Sequence, residues 1–250
     1  MKMKLLSVLG ALLFAASSVV AQTPGTIAAL EFQKPKNGMV KQYEDGRKQK
    51  ATWHKQQNDL PLLVWETLTG DNTGTYIVGR FGQHWADFDK PPVSDQADQE
   101  EYNKVIGTYV ESLAARYYEY LPKISNPAAS NPAKFSEIMT FHLRYGKGSD
   151  FRSAINRVTD AAQKTKWPLK YEWYVLVSGG ATGTYVLALP HDNWADFADN
   201  PNVKPFRDML KEAFGQAEAD SIINQIDSSV QSETSEIIQF RPDLSYLPSK

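Results

Sequence analysis

The chain has no cysteine at any of its 250 positions. Disulfides, thiolate metal sites and a lipid anchor on cysteine are excluded together, so stability must come from packing. An excess of either charge is also lacking: 27 Lys and Arg stand against 29 Asp and Glu, the formal net charge is −2 at pH 7, and no Lys- or Arg-rich run follows the N-terminus. Nothing tracks a phosphate backbone, and nucleic acid is not an expected partner. Missing too are a His-Glu-x-x-His pair, a Gly-x-Ser-x-Gly elbow and a Gly-rich phosphate loop. Past the first residues, no apolar run approaches the roughly 20 residues of a spanning helix.

The apolar run that is present stands at the start. Lys2 and Lys4 precede apolar residues 5–16, Val19-Val20-Ala21 places small residues where a signal peptidase cuts, and Gln22-Thr23-Pro24-Gly25 breaks the run. Cleavage is expected after Ala21, leaving a periplasmic or secreted protein with no membrane span. Hydrophobic content of 42% with 12% aromatic residues is enough for a packed core rather than a disordered chain.

Two words recur. Gly74-Thr75-Tyr76 and Trp85-Ala86-Asp87-Phe88 return as Gly183-Thr184-Tyr185 and Trp194-Ala195-Asp196-Phe197, both 109 residues later (183 − 74 and 194 − 85). A shared offset with a hydrophobic run before each copy predicts an internal duplication. Residues 22–125 form module 1, residues 126–134 with their two Asn-Pro steps a linker, and residues 135–250 module 2.

Each module is expected to run strand, helix, strand, strand, helix, strand. Residues 28–33 and 137–144 alternate apolar and polar, as half-buried strands do. Phe151, Ile155, Val158 and Ala162 mark a helix in module 2; in module 1 the helix over 39–57 is rich in Lys and Gln and is expected largely at the surface, its charged residues a solvated face. Strands 62–68 and 75–81, then 171–177 and 184–189, flank Gly-rich turns. A second helix is expected through Tyr102, Val105, Ile106, Tyr109, Val110 and Leu113. In module 2 it divides at Gly215, with a second piece from Ile222 to Val230. Last strands are expected near 118–124 and 236–241. This is the α+β, ferredoxin-like βαββαβ order, twice.

Asn193-Trp194-Ala195-Asp196-Phe197 and the following Asn200-Pro201-Asn202-Val203-Lys204-Pro205-Phe206 resemble the region after the third strand in the dimeric α/β barrel superfamily. That superfamily includes antibiotic-biosynthesis-monooxygenase-like and NIPSNAP-like domains. The resemblance implies two tandem ferredoxin-like modules pressing their sheets into a pseudo-dimeric α+β barrel, whose central space serves metal-free catalysis in some members, haem in others. With Phe32 matched to Phe141 and Gln33 to His142 by the offset of 109, Leu30, Phe32, Met139, Phe141 and Leu143 would face the helices. Glu31, Gln33, Thr140, His142 and Arg144 would then face the interior.

On that arrangement His142 is the candidate acid or base and Arg144, Gln33 and Glu31 candidate ligand contacts. The equivalent pairs Trp65 with Tyr174 and Tyr76 with Tyr185 either line an apolar pocket with polar tips or form plain barrel core. His54, His84, His142 and His191 offer no helical ligand spacing, so no metal is expected. Trp85 and Trp194 are expected to plug the sheet ends against the second helices, and Asp87 and Asp196 to cap the turns that follow.

The sequence therefore favours an exported small-molecule-binding or interaction module without a cofactor, a monomer with pseudo-two-fold symmetry or a homodimer. The alternative is a cofactor-independent monooxygenase-like or isomerase-like enzyme acting on a small anionic or aromatic substrate. An envelope structural component is a third reading.

Overall fold

A computed structural model of the chain describes residues 24–128 and 132–247. The expected signal segment, residues 1–21, lies outside them. The first half contains β1 (Ile27–Pro35), α1 (Val40–Gln56), β2 (Leu63–Thr67), β3 (Tyr76–Gln83), α2 (Asp95–Val105) and β4 (Val110–Tyr120). The second contains β5 (Phe135–Leu143), α3 (Gly148–Thr165), β6 (Glu172–Ser178), β7 (Thr184–His191), α4 (Phe206–Phe214), α5 (Gln216–Ser229) and β8 (Val230–Phe240).

The described strands close into one barrel in the order β1-β3-β2-β8-β5-β7-β6-β4, every pair antiparallel. Closure removes the sheet edges that would otherwise template aggregation. The halves meet along β2–β8 and β4–β6. They also exchange their ends: Leu121 and Ile124, just past β4, sit in the core around Phe141 and Phe151, while Leu244 and Tyr246, past β8, sit in the core around Tyr43 and Val64.

The last strands begin earlier than the sequence suggests. Tyr109 lies in a short 3-10 turn and Val110 and Leu113 in β4, because α2 stops at Val105 and Gly107 lets the chain turn. Likewise Val230 opens β8 instead of closing α5. In both places a short stripe fits helical and strand periods alike, and pairing with β1 or β5 decides for strand. Gly215 breaks α4 from α5 as expected, with φ of 85°, a conformation that glycine takes at little cost.

A larger correction concerns β1. Tyr76 and Tyr185 are 109 apart, but Gln33 stands opposite Tyr76 whereas Phe141 stands opposite Tyr185, so the first strands are offset by 108 (141 − 33). The extra residue falls near the first helices, 17 residues long in α1 and 18 in α3. Because side chains alternate across a strand, one residue exchanges the faces. Phe32 and Leu30 therefore face the barrel interior, and Gln33 lies under α1, where its Oε1 accepts from Tyr43 at 2.9 Å. In β5 the expected faces hold: Phe141 and Leu143 pack on α3, and Thr140 and His142 line the interior.

The face of α1 is corrected as well. Tyr43, Gly46, Arg47, Lys50 and His54 are buried against the sheet and α2. Charged composition placed this helix at the surface; tertiary packing buries three of its basic residues, Arg47, Lys50 and His54.

Candidate functional site: the barrel interior

The strands enclose a cavity of about 630 Å³. Its first-half wall is apolar: Leu30, Phe32, Trp65, Ile77 and Phe81 point inward from β1, β2 and β3, and Ile238 joins them from β8. The rings of Phe81 and Phe240 each lie 5.6 Å from Trp65, and Tyr174 lies 6.5 Å from Phe81. Such offset and edge contacts hold an aromatic wall rigid without filling the lumen.

The second-half face is mixed: Thr140, His142, Glu172, Tyr174, Thr184 and Glu236 contribute polar groups among Ile138, Leu176 and Val186, and Arg116 of β4 brings a cation beside Phe32. Thr184 Oγ1 donates to the Ala181 carbonyl at 2.7 Å and lies 3.0 Å from His142 Nδ1. A hydroxyl has one proton, so Nδ1 donates to Thr184, which leaves Nε2 as the ring nitrogen turned to other partners. Tyr174 donates its hydroxyl to Glu172 at 2.8 Å. Burial, then the adjacent Glu172 carboxylate, hold that phenol well above its ordinary value, so it remains a donor. Arg116 stacks on Phe32 at 4.5 Å, and its Nε has no hydrogen-bond partner.

Of the residues singled out in the sequence, His142, Trp65 and Tyr174 line this cavity together. Tyr76 and Tyr185 do not: they lie beneath the helices, Tyr76 at 4.7 Å from Tyr43 and Tyr185 at 5.0 Å from Phe151. Gln33 and Glu31 bond to each other on that outer side at 2.6 Å. Arg144 lies past the end of β5, exposed, its backbone bonded to Ser229. Its expected role of orienting a substrate beside His142 has no geometric support. Arg116 and Glu172 gave no signal in the sequence, because neither belongs to a motif and only strand pairing brings them inward.

Trp85 and Trp194 are about half exposed, Trp85 packing on Tyr117 and Trp194 on Phe135. Asp87 and Asp196 accept the backbone N–H groups of His84 and Asn193, capping their turns.

A second cluster joins His54, Asp59 and Asp98, whose ligand atoms lie within 4.8 Å of one another. Cations already hold those carboxylates: Arg80 Nη2 lies 2.7 Å from Asp59, and Lys50 Nζ lies 3.1 Å from Asp98. The group is an ion-pair network rather than a metal ligand set.

No family model and no curated protein matches the chain. Solved structures do share its fold. A candidate monooxygenase from Lactobacillus acidophilus superposes with a TM-score of 0.54 at 9% identity, over 89% of this chain and 96% of that one. A candidate monooxygenase from Fusobacterium nucleatum gives 0.51 at 11% identity, over 88% and 94%. The chlorite dismutase of Candidatus Nitrospira defluvii, in complex with imidazole, gives 0.50 at 8% identity, over 89% and 93%. These are ferredoxin-like dimeric α/β barrel proteins, and the likeness spans the whole barrel. Identities this low speak for the fold alone.

Proposed function

We propose that the barrel interior binds a small aromatic or otherwise flat apolar molecule whose polar end meets His142. The observation that carries this reading is one roughly 630 Å³ cavity in which an aromatic cluster faces a mixed apolar and polar surface that includes His142, held at Nδ1 by Thr184. Cavities of this size and make-up suit small ligands. Between the two substrate classes expected from sequence, the anionic one loses support: among the described residues, Glu172 and Glu236 face the lumen against the single cation of Arg116.

We further infer that the chain is a fused duplicate of one βαββαβ unit, exported after cleavage at Ala21 and complete as a barrel within one chain. The recurring words and the N-terminal segment support this. If it dimerises, as its structural neighbours' superfamily does, it does so through its outer surface.

A second reading is catalytic. Nε2 of His142 is placed to take a proton from a phenol or an activated C–H group, the first step of cofactor-independent monooxygenase-like or isomerase-like chemistry. The neighbours described as candidate monooxygenases, rather than any NIPSNAP-like protein, lend it support.

The test is native mass spectrometry of protein purified from its own envelope, followed by quenching of Trp65 fluorescence with a library of phenols and polycyclic aromatics. Binding should weaken at least tenfold, about 1.4 kcal/mol, in His142→Ala, with Tm within a few degrees of wild type. Turnover in wild type that vanishes in the variant selects the catalytic reading. An empty protein that quenches with no library member sinks both.

A further inference from the structure

Between α1 and the outer face of the β1–β4 pair lies a second, smaller cavity of about 140 Å³, separate from the barrel lumen. Arg47, Lys50, His54 and Arg80 contribute to its wall, with Asp98 and Tyr102 from α2. Arg47 is only 2% exposed, yet its Nε and Nη2 have no hydrogen-bond partner, and neither does Arg80 Nε. Nε and Nη2 form one edge of the guanidinium, the edge that grips an oxyanion with two parallel hydrogen bonds.

The charges near this cavity pair off unevenly. Asp59 is taken by His54 and Arg80, and Asp98 pairs with Lys50 at 3.1 Å although its buried Oδ1 accepts no hydrogen bond. Glu31, at the exposed rim, accepts from Gln33. Arg47 forms no ion pair among the described residues. A buried guanidinium without a counter-charge is one of the costliest features a fold can carry.

The second half shows that this burial is not required by the architecture. Tyr43 and Phe151 occupy the same place over Tyr76 and Tyr185, so Arg47, Lys50 and His54 correspond to Ile155, Val158 and Ala162. Those three are buried too, and Val158 and Ala162 join the apolar cluster made with α4 and α5. One helix face is thus greasy in one half and cationic in the other.

We propose that the cavity beside Arg47 is a binding site for a tetrahedral oxyanion of the phosphate or sulfate class. The Arg47 edge and Arg80 Nε supply donors from two sides, and Lys50 adds positive charge. A water's share of liquid volume is about 30 Å³, so a cavity of about 140 Å³ holds such an ion with a few waters to spare.

The experiment is calorimetric titration of the purified protein with inorganic phosphate, beside thermal melts in phosphate, acetate and chloride at matched ionic strength. One phosphate should bind per chain, and at a hundredfold excess over Kd the Tm should rise about 5–10 °C above chloride. Arg47→Leu, which copies the apolar character of Ile155, should lose the phosphate-specific shift while keeping the fluorescence of Trp65. Arg47→Lys retains the charge without the forked edge and should weaken phosphate at least tenfold, which keeps the test decisive if the leucine variant does not fold. The proposal is overturned if phosphate stabilises no more than chloride, if acetate does as well as phosphate, or if both variants bind phosphate like wild type.

Discussion

At the scale of single residues, His54 couples the network under α1 to pH. Burial lowers its pKa, with Lys50 and Arg80 acting in the same direction, and the hydrogen bond it donates to Asp59 and the charge of Asp98 offset only part of that. An unfolded histidine titrates near 6.5. As pH falls below that value, the unfolded chain takes up a proton that the folded chain still refuses, so stability declines towards acid. Asp59 adds a separate window: burial works against its ionised form, but His54 and Arg80 outweigh burial and hold it below the usual carboxylate range. Its contribution is present above about pH 4 and disappears as pH falls through the folded value. Urea unfolding of wild type should therefore show stability falling from pH 7 to pH 5, and His54→Gln should flatten that slope. A variant with an unchanged slope would remove His54 from the account. None of this was visible in the sequence, where Lys50 and His54 belong to a Lys- and Gln-rich stretch typical of a solvated helix. What puts them inside is the contact of α1 with α2, which no local pattern encodes.

At the scale of elements, Gly46 sets how closely α1 approaches α2. A Cβ there would stand 2.0 Å from the Val105 carbonyl oxygen, a backbone atom that cannot swing aside. Gly46→Ala should cost about 1–3 kcal/mol by overpacking, despite the better helix propensity of alanine. A melt that leaves Tm unchanged or raised would show that the helices slide apart freely. The corresponding position in α3 is Ala154, fully buried among Met209, Leu210 and Ile222. There α4 and α5 replace the single α2, and β4 and β8 stand 120 residues apart (230 − 110) rather than 109. The strand alternation at 28–33 was legible, but not which face looks inward; that depended on a one-residue difference near the first helices. His142 was placed on the correct face because β5 needed no such correction.

For the whole molecule, the exchange of ends ties the two halves into one folding unit. Leu244 is fully buried although it lies near the C-terminus, and its neighbours Tyr43, Leu62, Val64 and Val105 all belong to the first half. Tyr246 pairs with Leu62 through two backbone hydrogen bonds of 2.8 and 2.9 Å. Leu244→Ala should cost about 2–5 kcal/mol and lower a single, shared unfolding transition. A melt that splits into two transitions, with only the second half unaffected, would mean that the halves fold independently. Among the described residues no helix is long and apolar enough to cross a membrane.

The sequence by itself determined the element order and the α+β class, because alternation and helical spacing are local properties of the chain. The tertiary structure decided the rest. Which face of β1 looks inward, that Arg116 and Glu172 line one cavity with His142, and that Arg47 is buried with no ion pair among the described residues all depend on register and on contacts between segments far apart. A strand read alone has two equivalent sides, and a lysine read alone is a surface residue; only closure of the barrel and the seating of α1 on it remove those degeneracies.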